Sequence, residues 1–140
     1  MWSPKKRKYK KDRKGKIKVN LKAKSNMELN EGECGLKVLE GGYISSRQLE
    51  AGRKVIMRET KRLGKVWIRI YPDVPVTSKS IGARMGRGKG EVDYWCARIR
   101  QGMVIYEISG GGIEKQKKAL MRAGKKLSLE TRIIVRNTGY

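Results

Sequence analysis

Apolar positions alternate over several short runs of the chain and recur at helical spacing over two longer ones. "KVWIRIYPDVPV" sets Val66, Ile68 and Ile70 against Trp67, Arg69 and Tyr71, a period of two that predicts a half-buried strand. Pro72 and Pro75 lack the amide that a ladder needs and are expected to end it. "CGLKVLEGGYI" spaces Leu36 and Val38 by two and then turns on glycines. "VDYWCARIR" and "MVIYEIS", joined by Gln101-Gly102, predict a hairpin. Trp95, Ala97 and Ile99 would face inward, Arg98 and Arg100 outward. "TRIIVR" reads as a last strand.

"ISSRQLEAGRKVIMRETKRLG" is the clearest helix. Ser45 is followed three residues later by Gln48, the spacing of a capping box, and Ile44 and Leu49 hold the staple positions around it. Gly64, just past Leu63, is the expected stop. Leu49, Ile56 and Leu63 recur every seven residues beside Val55, which predicts one buried stripe. Arg47, Lys54, Arg58 and Lys61 fall on another face. After three glycines at 110–112, "IEKQKKALMRAGKKLS" predicts a second helix with Ile113, Leu120 and Leu127 at the same interval. Helices and strands mix without strict βαβ alternation, so the expected class is α+β: a mainly antiparallel sheet with two helices packed on it. One domain over residues 25–140 would hold these elements.

Charge changes the picture most. The chain carries 35 Lys and Arg against 13 Asp and Glu, a formal net charge of +22. Such an excess repels itself unless a polyanion lies against it. Nucleic acid is the usual polyanion. An anionic membrane fits less well, because no apolar run approaches the roughly 18 residues needed to span a bilayer. Nor does any basic amphipathic helix show a bulky aromatic face.

The first 24 residues hold 12 of the cations and one acid. A block this charged cannot bury enough apolar surface to fold alone and is expected to be an extended arm. No apolar segment follows the charges as in a secretory signal. The arm would order on phosphates, with Trp2 and Tyr9 free to stack on bases; the plainer reading is a solvated or nuclear-targeting tail.

Catalytic chemistry has little to work with. There is no histidine, and Cys34 and Cys96 stand alone inside apolar runs, so they read as small buried hydrophobes and no metal or cofactor is expected. Asp73, Asp93 and Glu107 are scattered. The chain is not read as an enzyme. That leaves the 77–91 connection with its "RMGRGKG". A phosphate-cradling loop needs two glycines five apart followed by Lys and Ser or Thr. Here Arg87 stands five after Gly82, and Gly90 follows Lys89. The dinucleotide fingerprint fails too, with Glu91 three after Gly88. Glycines would instead let backbone approach backbone, while Arg84, Arg87 and Lys89 supply phosphate contacts.

"GKVWIRIYPDVPVT", "RMGRGKG", "YWCARI", "SSRQLEAGRK" and the opening "SPKKRKYKK…KGK" together resemble the universal large-subunit ribosomal protein sixteen in its bacterial and organellar form. The resemblance runs from about Ser3 to Arg136, in the family's order and spacing. It implies a hammerhead-like α+β sandwich on large-subunit rRNA near the base of the central protuberance, among neighbouring ribosomal proteins. By that likeness the arm enters rRNA, through Lys5, Lys6, Arg7, Lys8, Lys10, Lys11, Arg13, Lys14 and Lys16, with Arg47, Arg53 and Arg58 adding contacts from the first helix. The loop of Arg84, Met85, Gly86, Arg87, Gly88, Lys89 and Gly90 would reach the peptidyl transferase centre, between the tRNAs in the aminoacyl and peptidyl sites. No side chain would be catalytic.

Val74 stands where the family usually has a base, phenylalanine is absent, and "SGGGIEKQKK" is more lysine-rich than its family counterpart. Divergence of this kind suggests an organellar ribosome, mitochondrial before plastid, or else a bacterial one. The competing reading is a general nucleic-acid chaperone or architectural RNA-binding protein acting off the ribosome.

Overall fold

In the computed structural model, which describes residues 2–17 and 21–136, these patterns become seven strands and two helices. They follow as β1 (Cys34–Val38), β2 (Gly42–Ser45), α1 (Ser46–Glu59), β3 (Lys65–Ile68), β4 (Val74–Ser78), β5 (Glu91–Ile99), β6 (Val104–Ser109), α2 (Ile113–Gly124) and β7 (Thr131–Val135). One sheet runs β3-β6-β1-β7 and a second β2-β5-β4, and all strand pairs in both are antiparallel. The class is the expected α+β. α2 lies over β1, β6 and β7, while α1 packs on α2 and touches β2, β3 and β5. Between them Leu36, Leu49, Ile56, Ile99, Ile108 and Leu120 lose essentially all contact with water. Each such side chain contributes about 1.5–3 kcal/mol.

β5 and β6 do not form the expected hairpin. β5 lies between β2 and β4, β6 between β1 and β3, so each has both edges taken by another partner. Gly102, at φ +92°, turns the chain out of one sheet, and Val38 at once claims it through Gly102 N→Val38 O (2.8 Å) and Val38 N→Met103 O (2.9 Å). Pro75 also departs from expectation. It sits inside β4 opposite Trp95, tolerated because β4 is an edge strand.

α1 begins as predicted. The Gln48 amide donates to Ser45 Oγ (3.2 Å), and the Ser45 amide donates to Gln48 Oε1 (2.9 Å). It ends at Glu59, five residues before the expected glycine. Lys61 adopts the left-handed conformation (φ 52°), and the amides of Lys61 and Arg62 donate to the carbonyls of Arg58 (3.1 Å) and Met57 (3.0 Å). That is a Schellman closure with lysine where glycine is usual. Leu63 therefore leaves the stripe and is 70% exposed. Gly64 serves another need: a Cβ there would sit 2.4 Å from Ser109 O, where β3 meets β6. The seven-residue reading fails on α2 as well. Its buried face is Gln116, Ala119, Leu120 and Ala123, with Ile113 exposed and Leu127 past the helix end. Small alanines let α2 close on the sheet, which a leucine count alone does not reveal.

Candidate nucleic-acid interface

β4 and β5 stay paired as far as Ser78 and Glu91, so the connecting loop is residues 79–90, trimmed at both ends from the expected stretch. Gly90 closes its stem, where a Cβ would lie 2.3 Å from Ser78 O. Further out the glycines work differently. Gly82, Gly86 and Gly88 have φ of +80°, +94° and +83°, yet a Cβ on any of them would meet nothing within 4 Å. Their role within the chain is handedness; close approach of backbones applies internally to Gly90. Arg87 shares the left-handed region at φ 52°.

The Lys79 ammonium donates to Gly86 O (2.9 Å) and the Ala83 amide to Ser80 O (3.1 Å), folding the loop around an open concavity of about 610 Å³. Arg84 and Arg87 are exposed, and neither meets an acceptor among the described residues. Met85 and Ile81 are almost wholly bare beside them. Lys89 differs from the two arginines, because its ammonium donates to the carbonyl of Asp12.

Residues 2–17 contain no helix or strand, but they have a path. Trp2 stacks on Tyr71 (6.5 Å between ring centres), and Arg7 pairs with Asp12 and lies over Trp95 (5.5 Å). Lys10 and Lys11 then reach Glu91 at the loop stem (3.1 and 3.3 Å). The chain turns back there. The Lys14 carbonyl accepts from Tyr43 Oη and Arg98 Nη2, and its ammonium sits 4.6 Å from the Tyr43 ring centre. Leu21 and Ala23 flank Gln101 in backbone hydrogen bonds of 3.2 and 2.9 Å. Residues 1 and 18–20 of the expected arm lie outside the described residues.

The arm thus carries its cations to the base of the glycine loop, a meeting that nothing in the sequence pattern announces. Lys5, Lys6, Arg13 and Lys16 remain exposed with no acceptor among the described residues; Lys8 stands 5.5 Å over the Tyr9 ring. On α1, Arg47 and Arg58 are exposed, while Arg53 is held in two contacts by Glu50 (2.9 and 2.6 Å). Hydrogen bonding to Arg53 holds the Glu50 carboxyl below the usual carboxylate range. Val74, where the family would place a base, is buried at the start of β4 opposite Cys96 of β5.

Glu107, one of the scattered acids, has a structural setting. Its carboxylate, fully buried on β6, accepts from the amides of Asn30 (3.2 Å), Glu31 (2.8 Å) and Gly32 (2.8 Å) and is paired with Arg69. Burial pushes its pKa up, but the three amides and the guanidinium outweigh that, so the group titrates below its ordinary value. A lone acid inside the apolar run "MVIYEIS" was the available signal. Among the described residues no cluster of three metal-capable side chains occurs, and no helix is long and apolar enough to cross a membrane. Cys34 and Cys96 are free and buried, with burial raising both thiol pKa values.

Comparison with known proteins places this geometry. Residues 4–134 match the family described as ribosomal protein L16p/L10e. The chain is 46% identical over 136 residues to the "Large ribosomal subunit protein uL16" of Mesorhizobium japonicum, a match covering 97% of this chain and 98% of the relative. The protein of the same name from Kosmotoga olearia is 47% identical over 136 residues, covering 97% of this chain and 95% of the relative. Both relatives are bacterial and lend the expected mitochondrial setting no support. With nearly its whole length matched, this chain belongs to the ribosomal protein L16p/L10e family.

Proposed function

We propose that this chain is a structural constituent of the large ribosomal subunit that binds its rRNA. In this reading the arm and α1 meet rRNA phosphates, and the glycine loop reaches the tRNAs near the peptidyl transferase centre. The observation that carries it is the meeting of two separate basic segments at one place, with Arg84 and Arg87 beyond it meeting no acceptor among the described residues. A guanidinium can grip a phosphate in two contacts, so these arginines suit a ribose-phosphate backbone. Peptide-bond chemistry is left to RNA; the protein supplies positioning and neutralisation. The bacterial relatives favour a ribosome of bacterial type.

Binding of the full chain to large-subunit rRNA at increasing salt tests the proposal. Log affinity should fall linearly with log salt, by roughly 0.7 to 0.9 for each phosphate neutralised. A flat response would overturn it, as would equal retention of unrelated DNA at high salt.

A further inference from the structure

We propose that the arm and the glycine loop are latched to one another, and that Lys89 and Glu91 are positioning residues of that latch rather than contacts to RNA. The geometry is reciprocal. Lys11 Nζ donates to the carbonyl of Lys89 (3.0 Å), and Lys89 Nζ donates to the carbonyl of Asp12, so each segment gives an ammonium to the other's backbone. Glu91 adds the charged half, taking Lys10 on Oε2 (3.1 Å) and Lys11 on Oε1 (3.3 Å). These contacts gather on Lys89 and on Glu91, the first residue of β5, where Gly90 between them already pins the stem against Ser78. Any one exposed contact is weak, but several on one stem hold its direction together.

The latch sits between two needs. The loop beyond it has open glycines and two exposed arginines that meet no acceptor among the described residues, so its direction depends on its stem. The arm below it bears lysines that suit phosphate. Glu91 spends two of those lysines on holding the stem, with a carboxylate where a phosphate would otherwise sit. Removing that carboxylate should therefore move two properties in opposite senses: the arm binds RNA more strongly and the loop loses its direction. An ordinary surface acid would affect only the first.

The consequence for RNA rests on the proposed function, whereas the latch can be measured without RNA. A nitroxide on Ser80→Cys reports loop motion in the full-length chain, the native thiols being buried. Lys89→Met and Glu91→Gln should each sharpen its spectrum; spectra unchanged in both variants would overturn the latch. Against rRNA, Glu91→Gln should steepen the salt slope by about 0.7–0.9 for each of the two lysines it frees to meet a phosphate, and Lys89→Met should leave it unchanged. A drop of that size in Lys89→Met would make Lys89 a phosphate ligand and overturn its assignment here. If the unmodified chain showed no salt-dependent rRNA binding, the proposed function would fall while the spectra still judged the latch.

Discussion

Glu107 and Glu91 are both glutamates held by cations, and the regions around them treat charge in opposite ways. Glu107 lies in the body, fully enclosed, and every contact around it is filled: three backbone amides and Arg69. Glu91 lies at the periphery with its side chain 74% exposed, touching two lysines amid an excess of cations that have no acid to meet. A buried charge has to be satisfied because the interior offers no water to do it. An exposed one can wait for a partner. The buried charge of the body has all its partners, and the exposed cations of the arm and its loop do not.

Substitution can break that contrast from either side. Glu107→Ala should have the largest effect, leaving Arg69 and three amides without their acceptor and costing about 3–5 kcal/mol, a large part of the stability of an ordinary domain. Urea unfolding would show it. The same group sets an acid response. Its native pKa is lowered, so its contribution is present above the ordinary value of 4.5 and is lost as pH falls from there through the native value. Glu107→Ala should flatten that part of the stability profile.

Next comes a pair of glycines. A Cβ on Gly52 would lie 2.4 Å from Tyr106 Oη, which is buried and donates to Leu49 O (2.8 Å). Gly52→Ala should destabilise by about 1–3 kcal/mol. Gly86→Ala meets no neighbour, so its cost is only the misfit of an L side chain at φ +94°, about 1 kcal/mol, with no packed group forced to move. Equal losses in the two variants would erase the distinction between body and loop.

The smallest effect on stability belongs to Arg84→Ala with Arg87→Ala. Thermal unfolding should hardly move, while the rRNA salt slope should lessen by roughly 0.7–0.9 for each arginine that meets a phosphate. A clear fall in Tm would show the loop to be part of the body.

Much of this could be read from the chain, and the failures share a cause. The capping box at Ser45 and Gln48 and the alternation in β1 depend on residues within about four positions of one another. So does the excess of charge, which needs only counting. The end of α1 was misplaced because Lys61 took the left-handed position that a glycine usually marks, while Gly64 answered to β6 in space. β5 and β6 are strands as their alternation predicts, but each pairs with other strands and not with the other.

Alternation states that a strand has two faces; it does not say which strand lies at either edge. That choice depends on which arrangement buries Leu36, Tyr106 and Leu120 together. The path of the arm belongs to the same class, since Lys11 meets Lys89 across 78 residues. Sequence alone determined which segments are strands and which are helices, and the need for a polyanion. Tertiary structure alone decided where the cations gather, because contacts between distant segments are selected by packing and electrostatics of the whole chain.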